Sequence, residues 1–157
     1  MKKIILSAIA LCAFGFANAQ DMKFGVKGGY NSASSDGGGG SASGFYAGGF
    51  AEFEMSDKLV LQPGLNYHTF SANGASTSAL SIPVLFKYNV ADKINLLAGP
   101  SLFYSLESEA VDKTRFGLDL GGSYDITENI FVEPRYSLGL TGEVKTNVLL
   151  IGVGYKF

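Results

Sequence analysis

From Met22 to Phe157, apolar and polar side chains alternate along the chain in runs of about ten residues, broken by short polar or glycine-rich stretches. A period of two is the pattern of a strand with two unlike faces, because successive side chains of an extended chain point to opposite sides. The pattern predicts eight strands, at about 22–31, 45–54, 59–69, 79–90, 94–105, 115–125, 129–140 and 147–157. Each has about the 9–11 residues that a tilted strand needs to cross a bilayer. The fourth is the clearest, with Leu80, Ile82, Val84, Phe86, Tyr88 and Val90 interleaved with Ser81, Pro83, Leu85, Lys87 and Asn89. The second is set by keeping Glu52 and Glu54 off the apolar face, which places Phe50 on the polar one.

Alternation admits two opposite solutions: a soluble barrel with its apolar face inward, or a membrane barrel with that face outward. Volume separates them. An eight-stranded barrel is only just wide enough inside for side chains to fill it. The apolar set, rich in Leu, Ile, Phe and Tyr, would overfill that interior. The opposite set includes Gly25, Gly29, Gly48, Gly64, Ser81, Gly99, Ser101, Gly117, Gly121, Ser123, Gly152 and Gly154, which fit. Charge agrees: Lys27, Glu52, Lys87, Asp119, Glu133 and Arg135 all fall on the polar face. A Lys or Arg facing lipid at mid-bilayer would cost roughly 2–4 kcal/mol. The expectation is an all-β, eight-stranded, antiparallel, up-and-down transmembrane barrel.

The connections alternate short and long. Residues 56–58, 91–93 and 126–129 are short turns, and 32–44, 70–78, 106–114 and 141–146 are longer and more polar. That arrangement places both mature termini on the periplasmic side. The aromatics then fall at two levels: Tyr30, Phe45, Tyr67, Tyr104 and Phe116 near the outer rim, and Phe24, Phe53, Tyr88, Tyr124, Tyr155 and Phe157 near the inner one. Two aromatic belts are the membrane expectation. Pro63, Pro83, Pro100 and Pro134 lie within strands, where a closed barrel has no free edge to excuse a missing N–H. Bulges or widely spaced pair positions are the expected accommodation.

The first residues change the picture of where this barrel goes. Lys2 and Lys3, an apolar run from Ile4 to Phe16, and Ala17-Asn18-Ala19 follow the plan of a secretory signal cleaved between Ala19 and Gln20. The apolar run is short of the roughly 20 residues of a helical span. The lone cysteine, Cys12, lies inside it, so the 20–157 domain has neither disulfide nor thiol chemistry. No later stretch is long and apolar enough for a membrane helix. The mature charge is −4, ten basic against fourteen acidic residues, with no basic patch to invite nucleic acid.

Candidate chemistry is sparse. The interior charges are of mixed sign and read as ion pairs filling the lumen, since an isolated buried charge is expensive. A narrow gated pore is the alternative. His68 is the single histidine, and with Ser71 and Glu107 or Glu109 it resembles the rim histidine, serine and carboxylate of the small outer-membrane barrels that modify lipid A acyl chains, a resemblance that implies such an enzyme as a second alternative. A nucleophilic site, however, needs base, nucleophile and orienting group in mutual reach; a polar rim histidine is the favoured reading. Asp36 with Gly37 to Gly40 reads as a loop, because no helix and no Lys-Ser/Thr completes a phosphate-binding loop. Glu107, Glu109 and Asp112 read as a solvated acidic loop and not a metal site. No cofactor is expected.

Several runs carry a family likeness. They are Leu61-Gln62-Pro63-Gly64-Leu65, residues 80–88 (LSIPVLFKY), Ala98-Gly99-Pro100, Gly117-Leu118-Asp119-Leu120-Gly121, Val132-Glu133-Pro134-Arg135-Tyr136 and the closing Gly152-Val153-Gly154-Tyr155-Lys156-Phe157. In this order they resemble the PorT-like outer-membrane β-barrels, related in architecture to the small OmpX and OmpA barrels. The resemblance implies an outer-membrane location, a role in membrane integrity, surface interaction or support of an export assembly, and no catalytic residue. It also implies that Tyr155 and Phe157 form the terminal sorting signal read by the outer-membrane insertion machinery. The expected partners are therefore outer-membrane lipid, that machinery and an envelope or extracellular protein, with the barrel itself a monomer.

Overall fold

The computed structural model describes residues 22–35, 40–72, 74–107, 113–142 and 145–157; the signal segment with its Ala19/Gln20 junction, and Asp36, Glu109 and Asp112, lie outside them. Eight strands follow one another: β1 (Met22–Ser35), β2 (Ser41–Ser56), β3 (Leu59–Ala72), β4 (Ala75–Ala91), β5 (Ile94–Ser105), β6 (Thr114–Asp125), β7 (Ile130–Gly139) and β8 (Thr146–Lys156). Each pairs antiparallel with its sequence neighbours, and β1 closes on β8 from Gly25↔Lys156 to Ser35↔Thr146. Closure leaves the wall without an unpaired edge, which an open sheet in lipid could not tolerate.

Two expected loops are largely strand. β1 and β2 stay paired to Ser34↔Ser41, and β3 and β4 to Ala72↔Ala75, so the 32–44 and 70–78 stretches extend their hairpins. Backbone pairing continues there without help from side chains. The residues are mostly Ser, Thr, Ala and Gly with water available on both sides, and a strand of that kind shows no apolar alternation.

The side chains alternate between wall and lumen as volume demanded. On β8, Leu149 is 40% exposed, Leu150 1% and Ile151 53%. Among the described residues no charged side chain occupies the outward alternate positions of any strand, whereas Lys27, Glu52, Lys87, Asp119, Glu133 and Arg135 are all buried. The outward aromatics Tyr30, Phe45, Tyr67, Tyr104 and Phe116 are exposed towards the loop end, and Phe24, Tyr88, Tyr124, Tyr155 and Phe157 towards the turn end. Phe53, expected in the second set, is instead buried; it lies beside the β2 irregularity at Glu54/Ser56, where strict alternation is lost.

The lumen is less uniformly small than the sequence suggested. Tyr46, Phe50, Leu85, Leu97, Phe131 and Leu150 are buried in it. Glycines make the room: a Cβ on Gly154 would lie 2.1 Å from Cζ of Phe131, and one on Gly152 would lie 2.1 Å from the Tyr46 hydroxyl oxygen. Large rings thus fill the hollows left by glycines across the barrel, which keeps the interior at close-packed density.

The prolines are accommodated without bulges. The register shifts are at Glu54/Ser56 and Asn89/Ala91, next to turns and away from any proline. Each proline sits instead in a two-residue gap of the ladder towards the preceding strand, across which the register is unchanged. Phe50↔Gly64 is followed by Phe53↔Leu61 around Pro63, and Gly121↔Arg135 by Tyr124↔Val132 around Pro134. Every proline keeps its pairing on the other side, as Pro63↔Val84, Pro83↔Ser101, Pro100↔Leu118 and Pro134↔Ile151. A missing N–H therefore interrupts one ladder locally and leaves the strand order and face intact.

Candidate functional site

The barrel wall brings the six lumen charges into one connected cluster. On β1 the Lys27 ammonium donates to Glu133 of β7, at 2.9 Å to Oε1 and 3.3 Å to Oε2, and to Gln62 Oε1 on β3 at 3.1 Å. Gln62 Nε2 in turn donates to Glu52 Oε1 at 2.9 Å, and Lys87 Nζ reaches the same oxygen at 2.9 Å. Arg135 stands between two carboxylates, with Nε 3.4 Å from Asp119 and Nη1 3.6 Å from Glu133. Asp119 Oδ1 also accepts a 2.6 Å hydrogen bond from the Ser101 hydroxyl. Three cations face three carboxylates, so the cluster is formally neutral.

Neutrality matters because these groups have left water. An unpaired buried charge is costly, and a buried pair is tolerated only when its remaining hydrogen-bonding groups are also served. Gln62 links the Lys87–Glu52 pair to the Lys27–Glu133 pair. Aromatic rings complete the packing: Lys27 Nζ lies 5.4 Å from the Phe50 ring centre, and Lys87 and Lys156 lie 5.6 and 5.7 Å from that of Phe131. Phe50 and Phe131 meet edge to face at 5.6 Å. Nearer the turn end, Asn95 donates to Ser123 and Asp125, and Lys156 pairs with Asp125 at 2.9 Å.

Sequence reasoning singled out the charges and passed over Gln62, which links two of their pairs, and Asn31, Asn66 and Asn95, which bond to His68, Ser81, Ser123 and Asp125 in the lumen above and below them. The signal was present, since each occupies the same alternate positions as the charges. It carried no weight because a lone amide has no preference that marks it as interior.

His68 is not a rim residue: it is fully buried near the loop end of the lumen. Its ring stacks on Tyr46 and Phe70, at 5.6 and 5.9 Å between centres, and tilts against Phe103 at 5.5 Å. Nδ1 lies 3.1 Å from Asn31 Nδ2 and Nε2 lies 2.8 Å from Ser81 Oγ. The Asn31 amide nitrogen also donates to the Phe45 carbonyl, so it is a donor and Nδ1 accepts. Nε2 then carries the proton and donates to Ser81, the wrong polarity for a base that must take a proton from that hydroxyl. Ser71 is exposed and bonded to Ser76, so it does not complete a site with His68, and Glu107 is exposed. Among the described residues no group of three His, Cys, Asp or Glu side chains could hold a metal.

At the chain end Tyr155 and Phe157 are exposed on the outer wall, their rings edge to face at 5.4 Å, and the Phe157 N–H is tied to the Phe24 carbonyl at 2.8 Å. They are presented outward, at the strand that closes the barrel.

Comparison with solved structures gives barrels of the same kind. The chain is similar to the attachment invasion locus protein Ail of Yersinia pestis, at 16% identity and a TM-score of 0.59 over 87% of this chain and 97% of that one. It is similar to Neisserial surface protein A, at 18% identity and a TM-score of 0.56 over 87% and 97% of the two chains. The N-terminal barrel domain of Pseudomonas aeruginosa OprF matches at 14% identity and a TM-score of 0.53, over 87% of this chain and all of that one. At such identities the likeness is one of fold. No curated protein matches the chain. Residues 4–157 match the outer membrane protein β-barrel domain, a span that takes in every strand and the whole lumen cluster. With wall, lumen and match in agreement, the chain belongs to the family of outer membrane proteins built on that β-barrel domain.

Proposed function

We propose that this chain is a non-enzymatic barrel whose lumen is a structural plug, and that it serves as a rigid membrane support for the surface at its loop end. The observation that carries the reading is the neutral cluster of Lys27, Lys87, Arg135, Glu52, Asp119 and Glu133, joined by Gln62 and packed around Phe50 and Phe131. The Lys27–Glu133 and Lys87–Glu52 pairs are hydrogen-bonded and joined through Gln62, while Arg135, whose buried Nε and Nη1 lack a hydrogen-bond partner, is held by charge between Asp119 and Glu133; charges paired in this way need no water column, so the barrel crosses the bilayer without conducting. In this reading residues 1–19 are removed after export, both mature termini face the periplasm, and the exposed Tyr155 and Phe157 engage the insertion machinery. The loop end then faces outward, where an envelope or extracellular protein meets it. The structure of Ail in complex with the heparin analogue sucrose octasulfate is an instance of a similar barrel binding a ligand. The order of the proline- and glycine-containing runs supports a place beside the PorT-like barrels and, with it, support of an export assembly.

The test is conductance in planar bilayers. The unmodified barrel is expected to give no stepwise current, while removal of the plug by the combined change Glu52→Ala, Lys87→Ala and Phe131→Ala opens measurable steps. Regular single-channel steps from the unmodified protein would overturn the plug.

A further inference from the structure

The loop end of the barrel holds a cup of about 500 Å³ that the plug does not use. Phe70 and Phe103 line it and pack on the buried His68 ring, itself stacked on Tyr46, and none of the six charges of the cluster reaches its wall. Ala33, Phe70, Ala79, Phe103 and Val148 make its lower wall apolar, and serine and threonine hydroxyls ring its upper part. The volume lies within the roughly 300–1,000 Å³ of small-molecule sites, and an apolar pocket with a few convergent polar groups is their usual form.

Two cations line the cup, the exposed Lys113 and the half-buried Arg115, together with one exposed carboxylate, Glu107. Lys23, Lys27, Lys87, Arg135 and Lys156 each have a carboxylate within ion-pair distance. Arg115 lines the cup and is half-buried, the register partner of Phe103 across β5 and β6. Its Nη1 is held by Thr146 Oγ1 at 2.9 Å, and no carboxylate of the described residues lies within ion-pair distance of it. The guanidinium is thus oriented by a neutral hydroxyl, with its other N–H groups left for an acceptor, beside an apolar ring. A planar fork in that position suits a carboxylate or sulfonate.

We infer that the cup binds a small organic anion from the water side, an aryl or alkyl carboxylate whose apolar body rests on Phe103, Phe70 and Val148 while its head pairs with Arg115. The inference rests on the cup alone. It holds whichever compartment the loop end faces, and a conducting lumen would leave it untouched.

The experiment uses the barrel in phosphatidylcholine nanodiscs, titrated with 4-phenylbutyrate and, separately, with the neutral 4-phenylbutyramide, and read by methyl NMR. Saturable shifts are expected at Ala33, Ala79 and Val148, with Ile151 and Val153 on the lipid face unmoved. Loss of a charge-assisted hydrogen-bonded contact should weaken binding about tenfold or more, both for the amide and for Arg115→Gln. Ala79→Leu, which fills the cup and spares Arg115, should abolish the shifts should Arg115→Gln fail to fold. Equal affinity for acid and amide, unchanged binding by both variants, shifts confined to the lipid face, or no saturable shift would each overturn the proposal.

Discussion

Replacing Glu133 with glutamine keeps the shape of the lumen and removes one charge from its most connected point. Lys27 lies 2.9 Å from the Glu133 carboxylate and Arg135 lies 3.6 Å from it, with side chains only 1–2% exposed. At an effective dielectric of ~20, opposite charges 2.9 Å apart attract by about 6 kcal/mol before desolvation is counted. Breaking such a pair from one side generally costs about 3–5 kcal/mol, because the other charge stays buried. Glutamine still accepts a hydrogen bond from Lys27, so Glu133→Gln should lie at the low end, about 3 kcal/mol or some two orders of magnitude in the folded-to-unfolded ratio. The control is Glu54→Gln, in a pair with Lys23 whose side chains are 45% and 52% exposed; it should cost less than about 0.5 kcal/mol. Lys27→Met combined with Glu133→Leu removes both charges and should recover most of the loss. Urea unfolding in phosphatidylcholine vesicles, followed by the gel mobility of the folded barrel, measures all of these. A Glu133→Gln variant as stable as Glu54→Gln would refute the claim that the cluster is dry and mutually compensated.

Two other outcomes follow from the wall and the packing. Leu120 is exposed midway along β6, between Phe116 and Tyr124, so Leu120→Arg should destabilise the barrel in vesicles by about 2–4 kcal/mol, against about 0–1 kcal/mol for Phe116→Arg near the headgroups; equal costs at the two positions would count against the assigned depth. Gly154→Val should cost about 1–3 kcal/mol by overpacking, since its Cβ would meet the Phe131 ring, and Phe131→Leu in the same chain should restore stability in the same unfolding assay.

The strand count, the face that meets lipid and the identity of the lumen charges were legible because each follows from alternation and volume. The extended tips of β1 to β4 were not, because pairing through backbone alone leaves no mark on side-chain polarity. The prolines were visible, but their accommodation was not: a gap that conserves register and a bulge that shifts it look the same in one strand, and differ only in the partner across the ladder. His68 was misplaced at the rim for a related reason. Its layer is set by the shear of the barrel, which brings Tyr46 of β2 and Phe103 of β5 against it, and that stagger is a property of the closed sheet.

What one strand decides by itself is which of its two faces is apolar, since that depends only on the order of its residues. From this follow the membrane barrel, the outward aromatics and the inward charges. Which inward groups meet is decided by closure. Lys27 and Glu133 are 106 residues apart and become partners because β1, β8 and β7 lie side by side in a closed wall. Gln62 joins Glu52 to Lys27, and Gly154 makes room for Phe131, for the same reason. The physical cause is that pairing energies in the lumen depend on distance, and distance across a barrel is set by strand number, tilt and stagger, which no single stretch of sequence contains.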